Sequence, residues 1–264
     1  HTHVCIMNVT YDEAESRWKS VQPSGLYRHQ GYFREVCYNK LAQRMAAAGY
    51  TLESVRGFGF NIAGVPPELR DRFSKRRRAI LAQAKELGVA TQDALQAIAG
   101  ESRAAKTATT AAGLRTRWET EAGQELAALR EAIARADGKA QPGRQVSARA
   151  AVLSAEAHVF ERRSVVDDRL LLREALIAGR GQVSLDALKR AVAGRERTGE
   201  LVRAGDEIAS REGLESEKEF TGWAAAQRSR RSALGSAPVR MNLGPDQKEA
   251  VLGVLGSKSG VVIL

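Results

Sequence analysis

His1-Thr2-His3-Val4-Cys5-Ile6-Met7-Asn8-Val9-Thr10 reads as a β-strand, because apolar and β-branched residues fill it and it holds neither Pro nor Gly. Side chains on a strand alternate between faces, so residues i and i+2 share one. His1 and His3 are therefore expected to point the same way. Two imidazoles on one rigid strand make a partial metal site. They do not complete one, since an open catalytic site usually takes three protein ligands plus a free position for water or substrate. The chain starts on a candidate ligand and without an initiator Met, so a fragment is expected.

Outward from that strand, composition narrows the class. The chain has 264 residues, enough for one large domain or two small ones. Hydrophobic residues make up 43% but aromatic ones only 5%, and much of the apolar share is Ala. Ala-rich, aromatic-poor sequence favours helices with narrow apolar stripes over a β-rich core. The net charge of +10 points to a polyanionic partner, either nucleic acid or an anionic membrane surface. No apolar run approaches the roughly 18 residues that span a bilayer, which speaks against membrane insertion. Cys5 and Cys37 form no metal-type spacing and lie in apolar-patterned segments; they read as reduced and buried, in a cytoplasmic protein.

Tyr11-Asp12-Glu13 reads as a polar turn and Arg17–Val21 as a short second strand. A long helix is predicted from about Leu26 to Ala48, with Phe33, Val36, Cys37, Leu41 and Met45 at three- and four-residue steps and Gly49 as its stop. Tyr27, Tyr32 and Tyr38 sit at helix spacing and read as packing residues. Tyr50–Val55 and Phe58–Ile62 form a predicted hairpin across Arg56-Gly57. Pro67 and Glu68 open a helix. Residues 68–86 hold seven Lys or Arg against three Asp or Glu, centred on Lys75-Arg76-Arg77-Arg78. A four-charge run covers about one helical turn, so not every member can face a core. Solvation of the helix face and phosphate contact are both open on this pattern alone.

Short helices follow around 91–99, 114–122 and 124–136, and Asp137–Gly143 is the best linker in the chain. Beyond it, helices are predicted near 147–161 and 167–178. Ser184 is a candidate N-cap for another helix that runs to about Ala193. Glu200–Val202 and Glu207–Ala209 would add a short β-ribbon, so this part resembles a small winged-helix-like module. A charged helix at 212–230, an extended 238–244, a final helix Pro245–Leu255 and a buried-type strand Ser259–Leu264 complete the reading. His158 reads as a structural helix residue.

Several of these segments, taken in order, resemble the conjugative relaxases of the TrwC/TraI type, the MobF family. The opening strand is followed by Leu26-Tyr27-Arg28-His29-Gln30, Tyr38-Asn39-Lys40-Leu41-Ala42 and Ala48-Gly49-Tyr50. Phe60-Asn61-Ile62-Ala63-Gly64-Val65-Pro66 and Phe73-Ser74-Lys75-Arg76 continue the likeness. Ala157–Val166 is similar to the segment that opens the family's helicase part. Leu243-Gly244-Pro245-Asp246-Gln247-Lys248-Glu249 resembles the Gln motif of RecD-like helicases.

The resemblance implies an α+β, mostly helical chain in three parts. Residues 1–90 would be the C-terminal part of a relaxase sheet domain of the HUH endonuclease type, 91–145 a helical connector, and 146–264 the start of a helicase. It implies that His1 and His3 are two of three ligands to a divalent metal, with Mg²⁺ expected. The nucleophilic tyrosines would lie upstream. Lys75, Arg76, Arg77 and Arg78 would contact single-stranded DNA, and Gln247 would hydrogen-bond the adenine of ATP. The parent would nick single-stranded plasmid DNA at the transfer origin, unwind it with ATP and work with the conjugation machinery; the fragment alone would be inactive. Two alternatives remain open: a non-catalytic basic DNA-binding module, and a small metallohydrolase that uses the His pair.

Overall fold

In the computed structural model, residues 7–55, 59–101, 109–136, 138, 146–228, 230–235 and 242–259 are described. The fold is α+β and mostly helical, with three small antiparallel sheets among the described residues. The first half runs β1 (Thr10–Asp12), β2 (Arg17–Lys19), α1 (Ser24–Arg28), α2 (Gln30–Ala47), β3 (Leu52–Ser54), β4 (Phe60–Ile62), α3 (Pro67–Phe73), α4 (Lys75–Glu86), α5 (Gln92–Glu101), α6 (Ala111–Ala122) and α7 (Leu126–Arg135). The second half runs α8 (Ala148–Val159), β5 (Val165–Asp167), α9 (Asp168–Ala178), α10 (Leu185–Arg197), β6 (Leu201–Ala204), β7 (Glu207–Ser210), α11 (Arg211–Ala226) and α12 (Pro245–Gly256).

The chain forms two compact units. One takes the residues up to Tyr32 with Val146–Gly179 and the residues from Val183 on; the other takes Phe33–Gln145 with Arg180–Gln182.

The first unit has a branched aliphatic core. Val152 and Val159 of α8, Leu171, Leu172 and Leu176 of α9, and Leu188 and Val192 of α10 are buried with Leu201 and Ile208. These positions recur at three- and four-residue steps, as an inward helix stripe requires. Side-chain caps define three of the helices. Ser147 accepts from Ala150 N at 3.1 Å, Asp167 from Arg169 N at 2.9 Å and Ser184 from Ala187 N at 3.2 Å, satisfying amides that have no partner inside the helix. Gly179, which ends α9, is demanded by close approach: a Cβ there would lie 3.0 Å from Val183 Cγ2 and 3.3 Å from Ala151 Cβ. The sheet order is β5-β7-β6, with Val166 opposite Ile208 and Arg203 opposite Ile208 on the other side. In the same unit, β1 pairs with β2, and Tyr11 meets Trp18 edge-on at 5.3 Å. Asp12 therefore ends a strand, where a turn was expected from Tyr11 on.

The second unit has a thinner core. Its buried apolar side chains, among the described residues, are Ala42, Leu69, Ala84, Ile98, Ala122 and Ala132. Four of these are Ala, so little area leaves water, at roughly 25 cal/mol per Å². Polar contacts then decide how its helices lie, and α2 is the clearest case. Its inward residues are Glu35 (1% exposed), Asn39 (3%) and Ala42, not the apolar stripe expected from the sequence. Phe33 (42% exposed), Leu41 (49%) and Cys37 lie on the other side. The cause is the turn Arg180–Gln182. Arg180 pairs with the Glu35 carboxylate and donates to Gly59 O, and Gly181 N donates to Asn39 Oδ1 at 2.7 Å. Gly181 has φ +76°, and a Cβ there would lie 3.2 Å from Ala42 Cβ, so only glycine fits this turn.

The predicted helix from Leu26 is two helices broken at His29, and the one predicted from Pro67 breaks at Ser74, whose hydroxyl donates to Arg70 O at 2.8 Å. The hairpin is present as β3–β4, with Glu53 opposite Asn61. The opening strand up to Ile6, Cys5, the turn Arg56-Gly57, most of the linker, the extended segment at 238–241 and the final strand from Gly260 lie outside the described residues.

Removing one member of a buried ion pair leaves the other charge stranded, at a cost of about 3–5 kcal/mol. Arg180→Ala is expected to lower the opening free energy of the α2 amides by that amount, read by hydrogen exchange. Changing Glu35 and Arg180 together to Leu recovers most of it. An Arg180→Ala variant whose α2 exchanges like wild type contradicts this account of α2.

Candidate nucleic-acid interface

The basic run sits where α3 hands over to α4. Pro67 starts α3 with its φ preset for a helix, and Leu69 anchors it in the core. Arg72, on the last turn of α3, is the knot of this region. Its Nη1 donates to Glu121 O at 3.1 Å, Ala122 O at 3.0 Å and Glu125 Oε2 at 3.0 Å, while Nη2 donates to Glu125 Oε1 at 2.7 Å. One guanidinium thus closes the C-terminus of α6 and holds a carboxylate by both oxygens, a geometry that suits Arg and not Lys. The hydrogen bond from Arg72 holds Glu125 below the usual carboxylate range, and Glu125 in turn raises Arg72.

α4 follows at once and carries Lys75, Arg76, Arg77 and Arg78, all exposed. Ala84 is its buried anchor and Ile80 is half-buried, so the helix rests on a narrow strip. Three of the four cations are engaged within the fold. Lys75 Nζ lies 2.5 Å from Glu121 Oε1, Arg76 donates to Ala99 O, and Arg78 donates to Arg72 O at 3.3 Å. Arg77 has no partner among the described residues. Each guanidinium has five N–H donors. Arg76 and Arg78 each use one in these bonds, which leaves donors facing solvent. The run is therefore partly structural, with Arg77 the member most open to a phosphate.

His1 and His3 lie outside the described residues. Among the described residues no group of three or more His, Cys, Asp or Glu is arranged to hold a metal ion. Gln247 stands in the first turn of α12, where its Oε1 accepts from Gly244 N at 3.1 Å; the side-chain amide thereby caps its own helix. The three tyrosines divide. Tyr27 is 73% exposed on α1, not packed as expected. Tyr32 is half-buried, and burial, reinforced by Asp168, pushes its phenol up, which opposes a phenolate nucleophile. Tyr38 lies half-buried under Gly59. Cys37 is exposed where a buried thiol was expected, because α2 is turned by Glu35. His158 is exposed in the last turn of α8.

The Arg72–Glu125 knot escaped sequence reasoning, since nothing local links residues so far apart in the chain. The cations of α10, Lys189, Arg190 and Arg197, were equally unremarked. A helical-wheel count from the Ser184 cap would have placed Arg190 and Arg197 opposite Leu188 and Val192, with Lys189 on the flank.

Comparison with known proteins adds one finding. Residues 1–125 match the family model of the TrwC relaxase, which supports a TrwC/MobF-type relaxase over that part of the chain. No curated protein matches the chain, and no solved structure does. No helix among the described residues is long and apolar enough to cross a membrane.

The Arg72–Glu125 pair makes the second unit sensitive to acid. A carboxylate depressed in the fold adds stability above its unfolded pKa, roughly 4.3, and loses it as pH falls through the lower folded value. The unfolding midpoint of wild type should exceed that of Glu125→Gln at pH 6, and the gap should close as pH falls below about 4. A gap that persists unchanged at pH 3 contradicts the pairing.

Proposed function

We propose that this chain belongs to a conjugative relaxase that cuts single-stranded DNA at a transfer origin. The match of residues 1–125 to the TrwC relaxase family model carries this reading. In this proposal residues 1–90 are relaxase, 91–145 connect, and 146–264 begin a RecD-like helicase in which Gln247 hydrogen-bonds the adenine of ATP. The protein works in the cytoplasm alongside the conjugation machinery.

α4 lies inside the matched part and supplies the electrostatic half of the reading. Arg77, with the spare donors of Arg76 and Arg78, tracks the phosphates of a single strand. Such contacts position the strand and carry no sequence information. His1 and His3 would hold a divalent metal by their imidazole nitrogens. Nitrogen donors suit a first-row transition ion better than the Mg²⁺ expected from the resemblance, since Mg²⁺ prefers oxygen. When bound, such an ion stabilises the charge that builds on a phosphate under attack.

Protein expressed from the whole reading frame tests the reading. It is incubated with single-stranded oligonucleotides tiled across the DNA that flanks its own gene, with Mg²⁺, Mn²⁺ or Zn²⁺. A covalent protein–DNA adduct that survives SDS and disappears in EDTA is expected. DNA binding without any adduct sinks the relaxase reading and leaves the non-catalytic DNA-binding one. Separately, Arg77→Ala should weaken binding of a single-stranded oligonucleotide and reduce the slope of log K against log salt by about 0.7, the share of one phosphate contact. An unchanged slope removes Arg77 from the interface.

A further inference from the structure

The first unit contains a second surface that the relaxase reading does not use. Its elements run helix, strand, helix, turn, helix, strand, strand: α8, β5, α9, α10, β6, β7, with the antiparallel order β5-β7-β6. Two helices joined by the short turn 179–184 and backed by a β-ribbon have the connectivity of a winged helix, in which the second helix of the pair lies in the DNA groove. α10 holds that second position.

α10 is divided cleanly between two faces. Leu188 and Val192 are buried, and Arg195 turns inward to Glu156, with Nε 2.5 Å from Oε1. On the outward side, Lys189, Arg190, Ala193 and Arg197 are exposed. At 3.6 residues per turn, 190, 193 and 197 form one stripe directly opposite 188 and 192.

Several other cations on these elements are consumed by the fold. Arg169 is held by Asp206 at 3.2 Å, Arg203 by Asp168 at 2.7 Å and Glu196 at 2.7 Å, and Arg195 by Glu156 and Glu200. Lys189, Arg190 and Arg197 have no partner among the described residues. Asp186, one turn before Arg190, is the acid on the same stripe.

Two details favour a duplex over a single strand. α10 presents no aromatic side chain on which unpaired bases would stack. Its outward centre is Ala193 beside Gly194, a glycine the fold does not require, since an added Cβ would meet only Arg197 Nη2 at 3.9 Å. Glycine inside a helix costs about 1 kcal/mol relative to Ala, and here it thins the helix where a groove wall would approach. The ribbon is less suited to phosphate, because Asp206 stands at its turn and Glu207 is exposed beside it.

We infer that α10 is a duplex-DNA docking helix that contacts the sugar–phosphate backbone through Lys189, Arg190 and Arg197. The contact is electrostatic and not sequence-reading. It stands independently of the relaxase reading, because duplex binding is scored without any cleavage.

The test measures binding of the full chain to a labelled duplex of arbitrary sequence and to the same sequence as a single strand. Three phosphate contacts predict a contribution of about −2.7 to the slope of log K against log salt. The variant Lys189→Ala/Arg190→Ala/Arg197→Ala should lose about tenfold in duplex affinity at low salt and keep its single-strand affinity. The swap Lys189→Arg/Arg190→Lys/Arg197→Lys keeps the charges and should bind duplex as wild type does, which separates charge loss from misfolding. Asp186→Asn should tighten duplex binding. Wild-type duplex affinity in the Ala variant overturns the inference, as does an equal loss on single strands or a charge-keeping swap that binds as poorly as the Ala variant.

Discussion

A buried carboxylate sets the second unit. Glu35 lies inside, and its charge is tolerable there only because Arg180 meets it and Asn39 takes the neighbouring Gly181 amide. Desolvating a charge costs several kcal/mol unless a partner and further hydrogen bonds offset it. That requirement fixes which face of α2 turns inward, and with it the exposure of Phe33, Leu41 and Cys37. The Ala-dominated core of this unit adds too little apolar burial to overrule it. The Arg72–Glu125 knot, more exposed, closes the end of α6. The first unit has its own inward pair, Glu156 with Arg195, but Leu and Val stripes on α8, α9 and α10 bury a denser core around it.

The same logic decides which charges are left for a partner. A chain with 41 Lys and Arg against 31 Asp and Glu is basic overall, but net charge alone does not locate a surface. Most conspicuous cations turn out to be committed. Lys75, Arg76 and Arg78 are tied into the fold, as are Arg169, Arg195 and Arg203. Among the cations left open are Arg77 on α4 and the outward stripe of α10. A run of adjacent cations is thus a poorer guide than cations counted after the fold has taken its share.

Where local chemistry decides, the sequence was legible. Ser184 caps α10 as expected, the helices of the second half begin and end within a few residues of their predicted bounds, and the β3–β4 hairpin stands where two strand-like runs flanking a turn were expected. Legibility failed where distant residues decide. The apolar spacing of α2 was real, but Glu35 and Arg180 outweighed it. The breaks at His29 and Ser74 carry no Pro or Gly to announce them. Arg72 finds Glu125 only through the fold. Of the candidate site residues, the α4 run was placed correctly on an exposed helix, while its internal pairing was invisible. His1 and His3 lie outside the described residues.

DNA should meet unpaired cations on α4 and α10 rather than those the fold has paired. Arginine and lysine footprinting by chemical labelling and mass spectrometry, with and without DNA, tests this side chain by side chain. Single-stranded DNA should shield Arg77, and duplex should shield Lys189, Arg190 and Arg197, while Arg180 and Arg195 stay unreactive throughout. Shielding that leaves Arg77 and the α10 stripe fully labelled, whichever other cations it covers, would contradict it.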